Sequence, residues 1–448
     1  MSSFAEKRRS LAMVFVIGCC LVGANPAQAE HEVGTRGYFR IGAGFTGAAE
    51  DRACFQAPGA DWKYRLGNEC DTWIEGGIYD AYKPKGDDGP LFYTEFWIGR
   101  SAAEGRQRLF RFENTTQLYI QASNIAALGR DTKVWIGRKY YQRHDIHIND
   151  FYWSEILGDG FGVEDIQLPF GKLMYAYTRN SDSVEVTNTA TPAMVVGVSE
   201  AFQNNHDLRY NMPLSITGKG SVTVQLMFAH SAGNDGVMGL NDATSTRGLA
   251  VGAWFEETFP VGNAKLSAQY GRGLLRNKFR GSTRDLVTTL SSDQADDLFG
   301  AYILRFTGQT LINPSPRVAV FASAVFQKED GTDYQPNPTD LTWYSFGIRP
   351  MLFIDHNFRV LAEYGFDRTD NKTGDNDVTG NLHKVTLAGE LSIDVGFWTR
   401  PVIRLFTTAA TWSSDFEGLL GASGQGDDTQ CLDRTNCFSA GVQAEYWW

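Results

Sequence analysis

The feature that most constrains this chain is a strict alternation of apolar and polar side chains over stretches of about ten residues. Residues 36–46, 71–79 and 91–99 alternate in this way, and so do the last eleven residues, which end at Trp448. In each stretch one set of alternate residues is apolar, and the other set mixes glycine with charged and aromatic side chains. Because successive side chains of a strand point to opposite faces, each stretch predicts a β-strand with one apolar face.

Two architectures produce this pattern, and strand length separates them. A soluble sandwich uses strands of about five or six residues with apolar faces inward, whereas a transmembrane barrel uses about 9–11 residues with apolar faces toward lipid. The stretches here are long, and so are the polar connectors 101–112, 231–246 and 413–437. At roughly 23–26 residues per strand and connector, the 419 residues after residue 29 accommodate about 16–18 strands. We therefore predict an all-β, transmembrane, antiparallel barrel with a water-filled lumen.

Composition argues against several other classes of protein. The mean hydropathy of −0.29 is too low for a polytopic helical membrane protein, which needs several apolar segments of about 20 residues. The formal net charge of −11 argues against nucleic acid or anionic headgroups as the main partners. The sequence contains no nucleophile elbow, phosphate-binding loop or helical zinc-protease motif, so we predict neither an enzyme nor a cofactor. A barrel hydrolase is the alternative from a different functional class.

The first 29 residues have the pattern of a secretory signal peptide. Lys7–Arg9 supply positive charge, Leu11–Ala24 are apolar or small, and Ala27–Ala29 form a small-residue cleavage site. We therefore predict cleavage before Glu30 and a single barrel domain over residues 30–448. A secreted barrel with an aromatic last strand favours the outer membrane of a Gram-negative bacterium.

Cysteine usage agrees with an oxidising compartment. The predicted mature chain contains four cysteines, Cys54, Cys70, Cys431 and Cys437. An even number in a secreted protein favours disulfides over catalytic thiols or zinc ligands. Three pairings are possible, and we predict pairing between neighbours, Cys54 with Cys70 and Cys431 with Cys437.

Residues 133–158 form the most informative segment. It opens as a strand and continues into a stretch that is dense in both charged and aromatic side chains, unlike a solvated loop. This mixture predicts a loop folded into the lumen, with packed rings and with charges that face a narrow water path. The alternative is an extracellular loop with a few ordered rings. His144, Asp145 and His147 fit no helical zinc motif, and we predict no metal site.

Aromatic and charged side chains share the predicted lumenal faces. The inward aromatic residues are Tyr38, Trp73, Trp447 and, in phase with Arg400 and Arg404, Trp398. The candidate polar residues are Arg40, Arg65, Glu75, Arg143, Asp145 and Asp150. A sugar offers such a surface a flat apolar face and a rim of hydroxyl groups, so we predict a sugar path. The alternative is that the charges keep the pore wet and the rings belong to the interfacial girdles.

Nine short blocks keep the order and spacing of one known family. They are Gly37–Arg40, Cys54–Gln56, Tyr64–Cys70, Tyr141–Asp145, Asp150–Tyr152, Phe170–Leu173, Gly347–Met351, Trp398–Pro401 and Trp447–Trp448. On these blocks the chain resembles the maltoporin family, the maltodextrin-specific outer-membrane porins. The blocks cover both ends and residues 133–173, whereas residues 180–340 show little beyond barrel-like alternation.

The resemblance implies an 18-stranded homotrimeric porin, with 16 strands as the alternative count, and a third loop folded inward. It also implies an aromatic slide along which maltooligosaccharides move, flanked by hydrogen-bonding tracks. By position, Tyr38, Trp73, Trp398 and Trp447 match the slide, and Tyr152 matches the constriction tyrosine opposite it. The tracks are matched by Arg40, Arg65, Glu75, Arg143, Asp145 and Asp150, with His147 and Glu155 as further candidates.

The chain also departs from the family pattern. Trp73 stands where the family commonly has tyrosine. The tryptophan that a neighbouring subunit lends from its second loop has no tryptophan counterpart in 101–112, and we predict Phe110 as the nearest candidate. The mid-chain phenylalanine of the slide falls at Val251.

Two further features follow from the resemblance. Cys54 and Cys70 match the disulfide of the first loop, and the 15 residues between them make it worth about 3 kcal/mol in the chain-entropy model. Retention of Arg143 and Tyr152 favours maltooligosaccharides, because the related sucrose porins carry smaller or different groups there.

Overall fold

A computed structural model describes most of the chain. The described residues are 29–46, 52–84, 89–103, 114–188, 191–232, 247–276, 299–332, 338–373, 376–420 and 434–448. Within them no helix is long and apolar enough to cross a bilayer.

In the described ranges, twenty β-strands account for nearly all of the regular structure. They are β1 (Ala29–Thr46), β2 (Asp71–Pro84), β3 (Leu91–Ala103), β4 (Asn114–Ser123), β5 (Lys133–Arg138), β6 (Tyr141–Ile146), β7 (Phe151–Ile156), β8 (Asp159–Leu168), β9 (Gly171–Asn188), β10 (Thr191–Pro213), β11 (Gly220–Ala232), β12 (Arg247–Phe259), β13 (Gly262–Gly273), β14 (Tyr302–Ser315), β15 (Val318–Thr332), β16 (Pro338–Phe353), β17 (Phe358–Thr373), β18 (Asn376–Ser392), β19 (Val402–Trp412) and β20 (Asn436–Trp447).

Eighteen of these strands form one closed antiparallel barrel. Each strand pairs with the next along the chain, except that β5 pairs with β8, and β20 pairs back with β1. Among the described strands closure leaves no unpaired edge, as a sheet surrounded by lipid requires. The prediction of 18 strands is confirmed, and the 16-strand alternative is wrong. The remaining strands, β6 and β7, form a separate hairpin with each other.

The two faces of the barrel have the polarity expected of a membrane-spanning porin. Ile41, Ile78 and Leu405 are 45%, 53% and 70% exposed on the outer face. On the inner face Glu75 and Arg404 are buried among other polar groups. A sandwich would place its apolar faces inward, so this arrangement excludes the soluble alternative.

The hairpin β6–β7, here called the inner hairpin (residues 141–156), confirms the predicted inward loop. Its backbone carbonyls accept hydrogen bonds from side chains of the wall formed by β10 to β16: Gln142 from Arg209 (3.0 Å), Asp145 from Gln309 (3.1 Å), Ile148 from Arg349 (3.4 Å) and Trp153 from Arg305 (3.2 Å). His144 stacks on Trp153 with ring centres 4.9 Å apart, and Trp254 of β12 packs against the edges of both rings. The hairpin is therefore fixed to one side of the lumen.

A second segment, residues 52–70, also folds inside the barrel, and no pattern in the sequence predicts this. We call it loop 1. Its Tyr64 ring is 2% exposed, and its Oη atom lies 2.9 Å from Ser345 Oγ on β16. A Cβ atom at Gly347 or Gly365 would lie 1.9 or 2.2 Å from this ring, so the two glycines provide the space that it occupies. Lys384 of β18 donates a hydrogen bond to the Leu66 carbonyl at 2.9 Å.

The predicted Cys54–Cys70 disulfide is present and closes loop 1. Cys431 lies outside the described residues, and so does its predicted bridge to Cys437.

Replacing both cysteines of this bridge by serine should loosen loop 1 without unfolding the barrel. The chain-entropy model assigns the bridge about 3 kcal/mol, which corresponds to about a hundredfold more frequent opening of the loop. Hydrogen exchange of the amides between Tyr64 and Asn68 measures this opening, and reduction of the wild-type protein should reproduce it. Unchanged exchange at these amides in the Cys54→Ser/Cys70→Ser variant would contradict the prediction.

Candidate functional site

The register of three neighbouring strands places the predicted slide rings in one row on the lumenal wall. Tyr38 of β1 lies opposite Trp447 of β20, and Arg40 lies opposite Trp73 of β2. The ring centres of Tyr38 and Trp447 are 6.3 Å apart and their planes differ by 24°. The Arg40 guanidinium lies 6.0 Å from the centre of the Trp73 ring. Rings from β2, β1 and β20 therefore follow one another obliquely across the wall.

Trp398 joins this row from a connector and not from a strand. β18 ends at Ser392 and β19 begins at Val402, so the predicted alternation of Trp398 with Arg400 is wrong. Its ring is 46% exposed and lies 4.8 Å from the ring of His147.

His147 of the inner hairpin bridges the end of the row. Its ring contacts Trp398 and also Trp447, whose centre is 6.1 Å away. His147 lies outside the spanning strands. Its pKa is well below the usual value, mainly because the ring is buried and also because Arg65 is positively charged. An uncharged imidazole with only 8% exposure extends the aromatic row and does not belong to the polar rim.

A cluster of charges lies beside the rings. Arg40 pairs with Glu69, Asp71 and Asp150 at 2.9, 2.8 and 2.9 Å. Arg65 pairs with Glu69 at 2.8 Å and lies 3.8 Å from Asp150. Burial alone would raise the pKa of Asp150, but Arg65 and Arg40 hold it below its usual value. Loop 1, β1 and the inner hairpin therefore meet in one network of ion pairs.

Glu445 connects this network to the wall and to the aromatic row. Its carboxylate, 1% exposed, accepts hydrogen bonds from Arg65, Arg400 and Arg404, each at 2.9 Å. Tyr38 Oη donates to the same carboxylate at 3.1 Å and accepts from Arg65 at 2.7 Å. Because Arg65 and Glu445 are themselves buried and hydrogen-bonded to each other, the Tyr38 ring is held rigidly.

The lumenal side of the inner hairpin presents Arg143, which is 31% exposed. Its guanidinium lies 4.4 Å from the Tyr140 ring centre and 4.5 Å from the Tyr152 ring centre. Glu155 lies 3.6 Å from it. Two rings and a carboxylate therefore surround one cation on the lumenal side of the inner hairpin.

The remaining predicted residues lie near this cation. Asp145 of the hairpin is half-buried, and its burial, together with the charge of Asp150, raises its pKa. Glu75 of β2 is 9% exposed and lies within electrostatic reach of Arg143 and Asp150.

The two predictions about missing slide residues have different outcomes. Val251 is 49% exposed on the outer face, so the assignment of a slide position to it is wrong. The inward ring on its strand is Trp254, which packs against the inner hairpin. Phe110 lies outside the described residues.

Sequence reasoning missed several charged groups of the site. Glu69 and Lys63 belong to loop 1, whose inward folding has no signal in the alternation. Glu445 could have been found, because it lies two residues before Trp447 and shares its face. In the described ranges, no group of three or more His, Cys, Asp and Glu side chains is placed to hold a metal ion.

Comparison with known proteins agrees with this geometry. The family model described as LamB porin matches residues 33–448, nearly the whole chain. The chain belongs to the LamB porin family. This membership makes the protein an outer-membrane channel and not an enzyme, and it confirms the family that the sequence blocks predicted.

Solved structures match the chain at low sequence identity and low TM-score. OccAB2 of Acinetobacter baumannii is 9% identical, with a TM-score of 0.44 and coverage of 94% of this chain and 98% of that one. The outer-membrane channel DcaP of the same organism is 12% identical, with a TM-score of 0.42 and coverage of 95% and 99%. OmpF of Salmonella typhi, in complex with daunomycin, is 8% identical, with a TM-score of 0.42 and coverage of 93% and 97%. These likenesses are weak, and the family assignment depends on the sequence match.

Proposed function

We propose that this LamB porin carries maltose and maltodextrins across the outer membrane by facilitated diffusion. The single observation that supports this most strongly is the row of rings from Trp73 through Tyr38 and Trp447 to Trp398, beside a continuous network of charges. The rings offer an apolar surface to the C–H faces of successive glucose units. The charged groups along their edges offer hydrogen bonds to the hydroxyl rim.

The mechanism that we propose is a stepwise exchange of hydrogen bonds. On the proposed path, the rigidly held Tyr38 ring keeps its geometry as a sugar passes, while Arg143, Asp145 and Glu75 exchange one hydroxyl partner for the next. The free-energy changes of binding and of release then stay small at each step, as rapid and selective diffusion requires. In this scheme the inner hairpin presses the sugar against the aromatic row.

We propose that residues 1–29 are removed as a signal peptide and that three copies form the working channel. A runner-up substrate is another oligosaccharide such as sucrose. The presence of both Arg143 and Tyr152, which pack together on the inner hairpin, favours maltooligosaccharides.

The test of this proposal is the conductance of the purified protein in a planar bilayer, titrated with maltohexaose and separately with sucrose. We expect block in three equal steps, with half-saturation at a far lower maltohexaose concentration. A conductance that responds to neither sugar would overturn the sugar path and leave a general pore.

Replacing Tyr152 by alanine tests the constriction. The change removes one of the two rings that hold Arg143, so we expect weaker maltohexaose block, by about tenfold, and a higher conductance to ions. The Tyr152→Phe variant keeps the ring and should stay within about twofold of the wild type. Both values come from the same bilayer titration, and equal sugar affinity in all three proteins would refute the assigned role.

A further inference from the structure

A second set of aromatic rings lines the lumen, away from the row described above. Tyr79 of β2, Tyr93 of β3 and Tyr119 of β4 form it, and we call it the vestibule strip. Ring centres of Tyr79 and Tyr93 are 5.7 Å apart with planes 20° from parallel, and those of Tyr93 and Tyr119 are 6.1 Å apart. These spacings resemble the 6.3 Å between Tyr38 and Trp447 in the first row.

The register shows that the strip faces the lumen. Tyr79 lies on the same face of β2 as Trp73 and Glu75, and its partner on β3 is Glu95. Glu95 is also the partner of Tyr119 on β4, and Tyr93 shares its face. Because paired residues of a sheet point to the same side, all three tyrosines point inward.

The strip lies near the end of the barrel that carries the short connectors. Tyr79 is six residues beyond Trp73 along β2, which corresponds to about 20 Å. β2 ends at Pro84, and β3 begins at Leu91 after a connector of six residues. In porins the short turns lie on the periplasmic side, so the strip lies where a solute leaves the first row of rings.

The surroundings of the rings hold them in place. Glu95, only 5% exposed, accepts hydrogen bonds from Tyr119 Oη at 2.8 Å and from Trp97 Nε1 at 2.6 Å. A Cβ atom at Gly34 would lie 2.4 Å from the Tyr79 ring, so this ring lies directly against the β1 backbone. Tyr79 and Tyr119 are therefore held in place, and Tyr93 packs between them.

An exposed cation accompanies the strip. The Arg36 guanidinium lies 4.8 Å from the Tyr79 ring centre and 5.7 Å from that of Tyr93. In the part of the chain that the structure describes, Arg36 forms no ion pair, unlike Arg40 and Arg65. Its donors, together with the Tyr79 hydroxyl, remain available to a ligand that covers the rings.

We propose that the vestibule strip is a second binding site for a neutral oligosaccharide, used at the periplasmic exit. The inference rests on the proposed sugar transport and adds a site to it. Fixed rings receive the apolar face of one or two glucose units, and Arg36 hydrogen-bonds their hydroxyl groups. A chain that leaves Trp398 and Trp447 then remains bound while its far end is released.

The experiment compares sugar entry from the two sides of the channel in an oriented bilayer, with maltohexaose as the probe. Tyr79→Ala/Tyr93→Ala removes two rings, and Tyr79→Phe/Tyr93→Phe keeps them as the matched control. We expect the alanine variant to lower the rate of block about tenfold when sugar is added on the short-connector side. Entry from the side of the long loops should stay within about twofold of the wild type, which also shows that the alanine variant is folded.

The outcomes of this experiment separate the exit site from the proposed sugar transport. Suppose that maltohexaose blocks the wild type. If the alanine variant then keeps the wild-type rate of block, or loses it equally from both sides, the exit site is overturned and the proposed function stays intact. A wild-type channel that maltohexaose does not block from either side would overturn both. An asymmetric loss in the alanine variant, with near-normal behaviour of the phenylalanine variant, supports the exit site.

Discussion

Replacing Trp447 by alanine should weaken maltohexaose block by about tenfold to thirtyfold, while the sugar-free conductance changes far less. Trp447 is the ring that links Tyr38 to the His147–Trp398 pair, so its loss interrupts the row. It also uncovers Arg400, whose guanidinium lies 4.2 Å from the ring centre. The measurement is a bilayer titration with maltohexaose.

Tyr446 provides a matched control for this variant. It is the preceding residue of β20 and points to the outer face, where it packs against Phe39. Tyr446→Ala removes a ring of similar kind from the same strand without touching the lumen. If both variants lose sugar affinity equally, the loss comes from the strand and not from the row of rings, and the assignment of Trp447 is refuted.

Replacing Glu445 by alanine should destabilise the barrel by about 3–5 kcal/mol. The change removes the carboxylate that Arg65, Arg400 and Arg404 share and leaves buried guanidinium groups with fewer partners. Breaking a buried ion pair from one side is costly because the remaining charge stays desolvated. The free energy of unfolding in urea, measured on protein refolded in detergent, gives the size of the effect.

Glu417 supplies the matched control, because it is an exposed carboxylate in the connector after β19. Glu417→Ala should change the free energy of unfolding by less than about 0.5 kcal/mol. Glu445→Gln keeps the shape and some hydrogen bonds, so an intermediate loss is expected. A Glu445→Ala variant as stable as Glu417→Ala would show that the network does not support the barrel.

The strands and their faces could be predicted because alternation is a local property. Each residue of a strand points to the face opposite to that of its neighbour, whatever the distant parts of the chain do. Tyr38, Trp73 and Trp447 were therefore placed on the lumenal face from the sequence. The same pattern could have placed Val251 on the outer face, since Val251 alternates with Gly252 and lies on the same face as Leu249.

The inner hairpin was also predictable, because its composition departs from that of a solvated loop. Loop 1 carries no such signal. Its inward position depends on the space above Gly347 and Gly365 and on the bond from Tyr64 to Ser345, a residue 281 positions away. No pattern within loop 1 reports that space.

The order of the strands and the alternation of apolar and polar residues along them thus determined that the chain forms a barrel, its approximate size and the residues on each face. The tertiary structure decided which of those residues meet. Closure of the sheet between β20 and β1 places Trp447 beside Tyr38, although the two are 409 positions apart in the chain. A connector brings Trp398 to the end of the row, and loop 1 brings Glu69 to Arg40. These contacts depend on strand register and loop packing across the lumen, which are properties of the folded chain as a whole.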